Sequence, residues 1–76
     1  MATYNGHKNW NHWNVSLWIN NDEALYGLAR DSVRIWPTRR IAVNQFIAHL
    51  AARGVTKTPD GAPYTSSSVR AALEGL

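Results

Sequence analysis

The residues that could carry catalysis form a small and scattered set. The chain has three His, five acidic residues and no Cys, which excludes thiol nucleophiles, zinc–cysteine sites and disulfides together. His7 and His12 have no carboxylate at a metal-ligand spacing beside them, so they are predicted to be polar surface histidines. His49 is predicted at the boundary of a helix face. We therefore expect no enzyme activity, no metal and no cofactor.

Three consecutive serines, Ser66 to Ser68, precede a helical pattern near the end of the chain. A nucleophilic serine of the hydrolase type lies on a glycine-flanked turn with a His and an acidic partner. This run has no flanking glycine and no obvious His–Asp partner. Because Ser is also a preferred N-cap residue, helix capping is the favoured interpretation.

The arginines are more informative about function. Arg39 and Arg40 are predicted in the first turn of a helix, where free N–H groups already create a positive potential, so the pattern resembles an anion site. Arg34, one helical turn upstream, is predicted to join them. The alternative is ion pairing within the chain, with Glu23 or Asp31 as the acidic partner. Both interpretations stay open.

A second basic group, Arg53, Lys57 and Arg70, surrounds the last loop and helix. On adjacent surfaces these side chains would follow the phosphates of a nucleic acid. The whole chain carries eight Lys and Arg against five Asp and Glu, a formal net charge of +3. This excess favours an anionic partner but is too small to identify one.

Four tryptophans are a large number for 76 residues. They can form a stacking platform for single-stranded nucleic acid or an interface hot spot. However, a short chain without disulfides needs large apolar side chains in its core, and each buried aromatic removes about 150–250 Å² from water. The core is therefore the favoured location of the tryptophans.

The elements that position these residues are predicted to be helices. A first helix is predicted from Trp10 to Ile19 and is expected to be buried on most sides, because Trp10, Trp13 and Leu17 share one face while Val15, Trp18 and Ile19 cover much of the rest. A strand is the alternative, since the run is partly β-branched and aromatic. A second helix is predicted over 22–35 and a third over 38–53, followed by Gly54 as the C′ glycine. Their apolar faces consist of Leu25, Leu28, Ala29, Ser32 and Trp36 on the second helix, and of Val43, Phe46, Ile47 and Leu50 on the third.

The last part of the chain combines a turn with a short helix. Pro59-Asp60-Gly61 predicts a turn and a minor β-hairpin near 55–64, and a final helix is predicted over 68–74. Residues 1–9 are expected to form an extended arm that packs through Tyr4. The chain is thus predicted to be one all-α domain, 1–76, of about four short helices. It has neither a membrane-spanning run nor a signal peptide, so a cytoplasmic protein of the host bacterial cell is expected.

Sequence motifs cover most of this domain. They are Tyr4-Asn5-Gly6, then Trp13-Asn14-Val15 with Leu17-Trp18, then Asn21-Asp22-Glu23 with Leu25-Tyr26, and finally Gly54 with Thr58 to Gly61. The YNG start, W-N-V-x-L-W core, N-D-E-x-L-Y continuation and G-x-x-x-T-P-D-G end resemble a family of small uncharacterised proteins carried by phages, prophages and plasmids. The resemblance implies a mobile-element accessory protein and no particular mechanism.

A narrower set of matches lies in the C-terminal part: Ile47, Ala48, Leu50, Gly54, Thr58, Pro59, Gly61, Tyr64, Ser67, Val69 and Leu73. These residues are similar to the helix–loop–helix of large serine recombinases, a module that binds DNA in that family. Recombinases usually carry two or more Arg on the last helix, whereas Arg70 is followed here by Ala71 and Ala72. The catalytic serine domain is not part of this chain, so recombination is not expected.

Together these features predict a non-enzymatic accessory protein that inhibits a host defence system by stoichiometric binding, as an anti-CRISPR that blocks a CRISPR effector complex. A chain of net charge +3 cannot imitate DNA, so it would meet an acidic or mixed protein surface, or bridge to nucleic acid. The alternative is a small helix-turn-helix-like DNA-binding regulator, whose last helix would enter the major groove. The expected partner-binding residues are Arg34, Arg39, Arg40, Arg53, Lys57 and Arg70.

Overall fold

The computed structural model describes residues 4–76 and consists of four helices in chain order. They are α1 (Trp10–Asn21), α2 (Glu23–Ile35), α3 (Arg39–Ala51) and α4 (Ser66–Leu73). The all-α prediction is confirmed. Between residues 4 and 76 the only β-type pairings are two isolated bridges, Tyr4 with His7 and Lys57 with Pro63, so the minor hairpin expected near 55–64 is reduced to a single bridge.

Each helix begins after a polar N-cap side chain that accepts a hydrogen bond from a backbone N–H of the first turn. The four caps are Asn9, Asp22, Thr38 and Thr65. At the other end of α3, Gly54 has a left-handed φ of 76°. Its N–H donates to the Ala51 carbonyl, and the Val55 N–H donates to the Leu50 carbonyl, which is the Schellman pattern with glycine at C′. The predicted C′ role of Gly54 is confirmed.

The core is built from medium-sized side chains around one phenylalanine. Phe46 is fully buried, and its ring meets the Tyr64 ring edge-on with centroids 6.3 Å apart. The remaining large core side chains come from all four helices: Val15, Ile19, Ala29, Val43, Leu50, Val69 and Leu73. α4 packs against both α1 and α3, so the last helix closes the core.

α1 is less completely buried than predicted. Val15 and Ile19 are fully buried, whereas Trp13, Leu17 and Trp18 are half-buried and Trp10 is 40% exposed. The helix itself was predicted correctly, and the expectation that it is buried on most sides was wrong. Trp13 packs on the Tyr4 ring and the Trp18 indole N–H donates to Asp60, so these two indoles contact the N-terminal turn and the loop before α4.

A hydrogen-bonded network fixes the loop between α3 and α4 to α1. The Asn14 amide, only 2% exposed, accepts from the Thr58 hydroxyl at 2.6 Å and donates to the Asp60 carboxylate at 2.9 Å. The Trp18 indole N–H donates to the same carboxylate oxygen at 2.9 Å. These two donors, Asn14 and then Trp18, hold the pKa of Asp60 below its usual value because they stabilise the ionised form.

The N-terminal arm was predicted to be extended, and over the residues described it is a tight turn. Asn5 and Gly6 both have positive φ, 46° and 83°, as in the two-residue turns that Asn-Gly favours. Tyr4 and His7 exchange backbone hydrogen bonds of 2.9 and 2.8 Å. The Tyr4 ring packs on Trp13 with centroids 4.9 Å apart, so the predicted contact through Tyr4 is confirmed. Residues 1–3 of the predicted arm lie outside the described residues.

Candidate functional site

Arg39 is one of the six predicted partner-binding residues, and the structure gives it an internal role. Its half-buried side chain donates to the backbone carbonyl of Leu73 at the end of α4. Carbonyls at a helix C-terminus lack intrahelical partners and attract cations. Arg39 therefore connects the start of α3 to the end of α4, and the anion site expected from Arg39 with Arg40 stays a prediction.

The alternative prediction, pairing of these arginines with Glu23 or Asp31, has no counterpart among the described residues. Among the residues the structure describes, the carboxylate of Asp31 approaches a basic side chain to within 4.0 Å, and that side chain is Arg30. Glu23 has no cation within this distance in the same region. Arg34 is exposed on the last turn of α2, so its charge is available to a partner.

The structure brings together one residue from each predicted basic group. Arg40 of α3 and Arg70 of α4 line one groove of about 350 Å³, here named the α3–α4 groove. Asn44, one turn after Arg40, and Ser66, the first residue of α4, complete its polar lining, and Val43 is its apolar member. The lining contains no carboxylate. Asn44 was not singled out for a site, although its i+4 spacing from Arg40 indicates a shared helix face.

Arg53 and Lys57 do not join Arg70 in a common groove. Arg53 is exposed after the end of α3. Lys57 lines a different groove of about 430 Å³, whose walls include Trp18, Leu25 and Tyr64. Burial, together with the negative charge of Asp22, raises the pKa of the Tyr64 phenol. Of the second basic group, Arg70 thus lines the α3–α4 groove, Lys57 lines another groove, and Arg53 lines neither of them.

The expectation that the tryptophans form the core is wrong. One of them is instead part of an exposed apolar surface. Trp36 is 38% exposed, and Ile35 beside it is 70% exposed. Both residues line a groove of about 350 Å³ between α2 and α3, here named the α2–α3 patch. Its other members are Leu28, Asp31, Ser32, Gln45, Ala48 and His49. The signal for it was the Ile-Trp-Pro sequence, because Pro37 follows α2 and turns the chain at this point.

His12 was predicted on the surface and is instead 9% exposed. Its Nε2 lies 2.7 Å from the hydroxyl of Ser67, which joins α1 to the first turn of α4. Burial lowers the pKa of His12, and the nearby charges of Lys8 and His7 act in the same direction. Of the serine run, Ser68 has the predicted capping role, since it forms the reciprocal capping-box bond with the N-cap Thr65. α4 begins at Ser66, two residues before the predicted start, because Thr65 is the cap.

The lowered pKa of His12 predicts a pH-dependent stability. The unfolded chain, with the usual pKa of 6.5, takes up the proton more readily than the folded chain. The stabilisation is therefore complete above pH 6.5 and is lost as the pH falls through the folded-state pKa. We expect the urea midpoint to fall from about pH 7.5 to about pH 5 and this slope to be removed in His12→Gln. The matched control His49→Gln, at an exposed position, should keep the slope; an equal slope in His12→Gln would contradict the assignment.

Among residues 4–76 there is no group of three or more His, Cys, Asp or Glu side chains placed to hold a metal ion. None of the helices in that same stretch combines the length and apolarity needed to cross a bilayer.

Comparison with known proteins gives a family without an assigned activity. The matching protein family is described as "Family of unknown function (DUF7249)", and the match covers residues 1–74. Neither a curated protein nor a solved structure gives a significant match to the chain.

Proposed function

Since the chain belongs to the DUF7249 family, whose function is unknown, we propose its function from its own surface: it is a non-enzymatic protein that binds a partner protein through the α2–α3 patch. The observation that carries this proposal is the exposure of Ile35, 70%, beside the exposed Trp36. Fully burying an exposed apolar side chain is worth about 1.5–3 kcal/mol. A partner that covers the patch would gain most of that from Ile35 and a smaller part from Trp36, which is already more than half-buried.

The composition of the patch matches that of an interface centre. Tryptophan is enriched among the residues that contribute most to binding, and such residues lie in apolar pockets surrounded by polar groups. Here Trp36 and Ile35 lie next to half-buried Leu28, and Asp31 and His49 form part of the polar rim. Arg34, exposed on the same turn of α2, favours an apolar partner surface with acidic residues at its edge.

We assign this binding a role in host-defence inhibition, as an anti-CRISPR that occupies a CRISPR effector complex. The support is the resemblance of the Tyr4–Arg30 segment to phage, prophage and plasmid proteins, together with a surface suited to stoichiometric docking. The net charge of +3 excludes electrostatic imitation of DNA. The inhibitor would therefore contact a protein surface of the effector.

A DNA-binding regulator is the second candidate, favoured by the exposed Ser66, Ser67 and Arg70 on α4. It differs from the inhibitor in requiring affinity for free duplex that falls steeply between about 50 and about 200 mM salt. Residues 52–65 join α3 to α4, a longer connection than the turn of about 3–4 residues in a helix-turn-helix.

The inhibitor proposal is tested with purified CRISPR effector complexes of several types and with phage plating on cells that carry them. The unmodified protein should bind one of them and restore plaque formation. Ile35→Glu should weaken binding about thirtyfold, the equivalent of a hot spot of about 2 kcal/mol, and should abolish the restoration.

The matched control is Val55→Glu, which adds the same charge at another exposed apolar residue that does not line the patch. It should behave as the unmodified protein. If no effector complex is bound and plaques are not restored, the inhibitor role is wrong. If both variants bind normally, the patch is not the contact surface.

A further inference from the structure

The α3–α4 groove has a positive charge that plays no part in the proposed binding at the α2–α3 patch. Arg40 and Arg70 come from different helices and line the same 350 Å³ space. Among the described residues no carboxylate lies within 4.0 Å of either guanidinium. Two like charges around one groove repel each other, and a negatively charged ligand between them would relieve that repulsion.

The groove also contains uncharged polar groups that can form hydrogen bonds with a base. Asn44 offers an amide with an adjacent donor and acceptor, and Ser66 offers a hydroxyl that can do either. An asparagine amide matches the hydrogen-bonding edge of adenine, and guanidinium planes stack on unpaired bases. Val43, which belongs to the core and is 3% exposed, lies beneath them at the base of the groove. The groove thus holds groups that can bind a phosphate, the edge of a base and the plane of a base.

We infer that the α3–α4 groove binds single-stranded nucleic acid and takes one unpaired nucleotide. One of the two arginines, Arg40 or Arg70, contacts the phosphate and the other stacks on the base plane, while Asn44 forms hydrogen bonds with the base edge. A volume of about 350 Å³ lies at the lower end of ligand sites, about 300–1,000 Å³, which suits one nucleotide.

The shape of the α3–α4 groove indicates which form of nucleic acid, single strand or duplex, it can bind. In a duplex the base edges lie inside the grooves, so a protein must insert a protruding element to reach them. Here the polar groups line a recess between α3 and α4, and the side of α4 that carries Val69 and Leu73 is buried in the core. A base reaches this recess by turning out of its stack, which favours an unpaired strand over a duplex. This site goes beyond the proposed protein-binding function and does not depend on it.

Fluorescence anisotropy of labelled oligo(dA) and oligo(dT) of about 12 nucleotides, a length typical of small single-strand binders, tests the inference. A mixed-sequence duplex is titrated in parallel, at about 50 and about 200 mM salt. Single strands should bind at least several-fold more tightly than the duplex, and oligo(dA) more tightly than oligo(dT).

Variants then separate the roles of the groove residues. Arg40→Ala with Arg70→Ala should reduce the magnitude of the log–log salt slope by about 0.7, the value for the one phosphate contact of the bound nucleotide, and should weaken single-strand binding further through the lost stacking on the base. Asn44→Ala should leave that slope unchanged and remove the preference for oligo(dA). The double change Arg34→Ala with Arg53→Ala, which removes the same charge outside the groove, should retain the single-strand preference and most of the affinity.

Three results would overturn the inference. They are no binding of any single strand, equal or tighter binding of the duplex, and an equal loss in the Arg34/Arg53 control. Tight duplex binding would instead support the DNA-binding regulator. None of these results bears on the inhibitor proposal, because the groove residues Arg40, Asn44 and Arg70 do not line the α2–α3 patch.

Discussion

The Phe46→Ala variant is expected to lose about 3–5 kcal/mol of unfolding free energy, the usual cost of removing a buried phenylalanine ring. Phe46 is the largest fully buried side chain of the described residues, and no other aromatic ring is as deeply covered. Its removal would leave a cavity beside Tyr64, Val43 and Leu50, which the surrounding helices can fill only in part. Because small domains have about 5–15 kcal/mol in total, this variant should be close to unfolding at 37 °C.

Urea denaturation followed by far-ultraviolet circular dichroism measures this loss. The matched control on the same helix is Ile41→Ala, whose side chain is 36% exposed and whose replacement should cost about 0.5 kcal/mol or less. Phe46→Leu should lie between the two. A loss below about 1.5 kcal/mol in Phe46→Ala would mean that this ring is not the centre of the core.

The second large effect is expected from Asn14→Leu. The substitution keeps the volume of the side chain but removes the acceptor of the buried Thr58 hydroxyl and one of the two donors to Asp60. A buried hydroxyl without its partner costs about 1–3 kcal/mol. We expect a total loss of about 2–3 kcal/mol, with a rise in the pKa of Asp60 toward its usual value, because the largest cause of the lowered pKa is gone.

The control for Asn14→Leu is Asn21→Leu, at an exposed position on the same helix, which should leave stability nearly unchanged. A double-mutant cycle with Thr58→Val tests the partnership directly. If Asn14 and Thr58 act together, the paired change costs less than the sum of the two single changes by more than about 0.5 kcal/mol. Simple additivity would show that the short hydrogen bond contributes little.

The features that could be predicted from the sequence, helix ends and apolar helix faces, depend on residues that are close together in the chain. Asp22, Thr38 and Gly54 were identified as the ends of helices because a cap needs only the residues within one turn of it. The apolar face of α3 followed from its period, since Val43, Phe46 and Leu50 recur at helical spacing. The number and order of the helices were predicted for the same reason.

What could not be predicted depends on residues far apart in sequence. The contact of Arg39 with the Leu73 carbonyl joins positions 34 residues apart, and no local pattern indicates it. Similarly, Arg40 and Arg70 were each predicted as binding residues but in separate groups, because only the packing of α4 on α3 brings them together. The tryptophans were misplaced because burial was inferred from size, whereas the space available between α1 and α4 decides it.

The attachment of the late part of the chain to α1 has a consequence for synthesis. The hydrogen-bond partners of Asn14, Thr58 and Asp60, are synthesised 44 and 46 residues after it. The partner of His12, Ser67, is synthesised 55 residues after it. On the ribosome, α1, α2 and α3 therefore emerge before any of the groups that satisfy the polar face of α1 are available. The contacts of α1 with the loop before α4 and with α4 can therefore form only after most of the chain has left the exit tunnel, so the native core is completed late in synthesis.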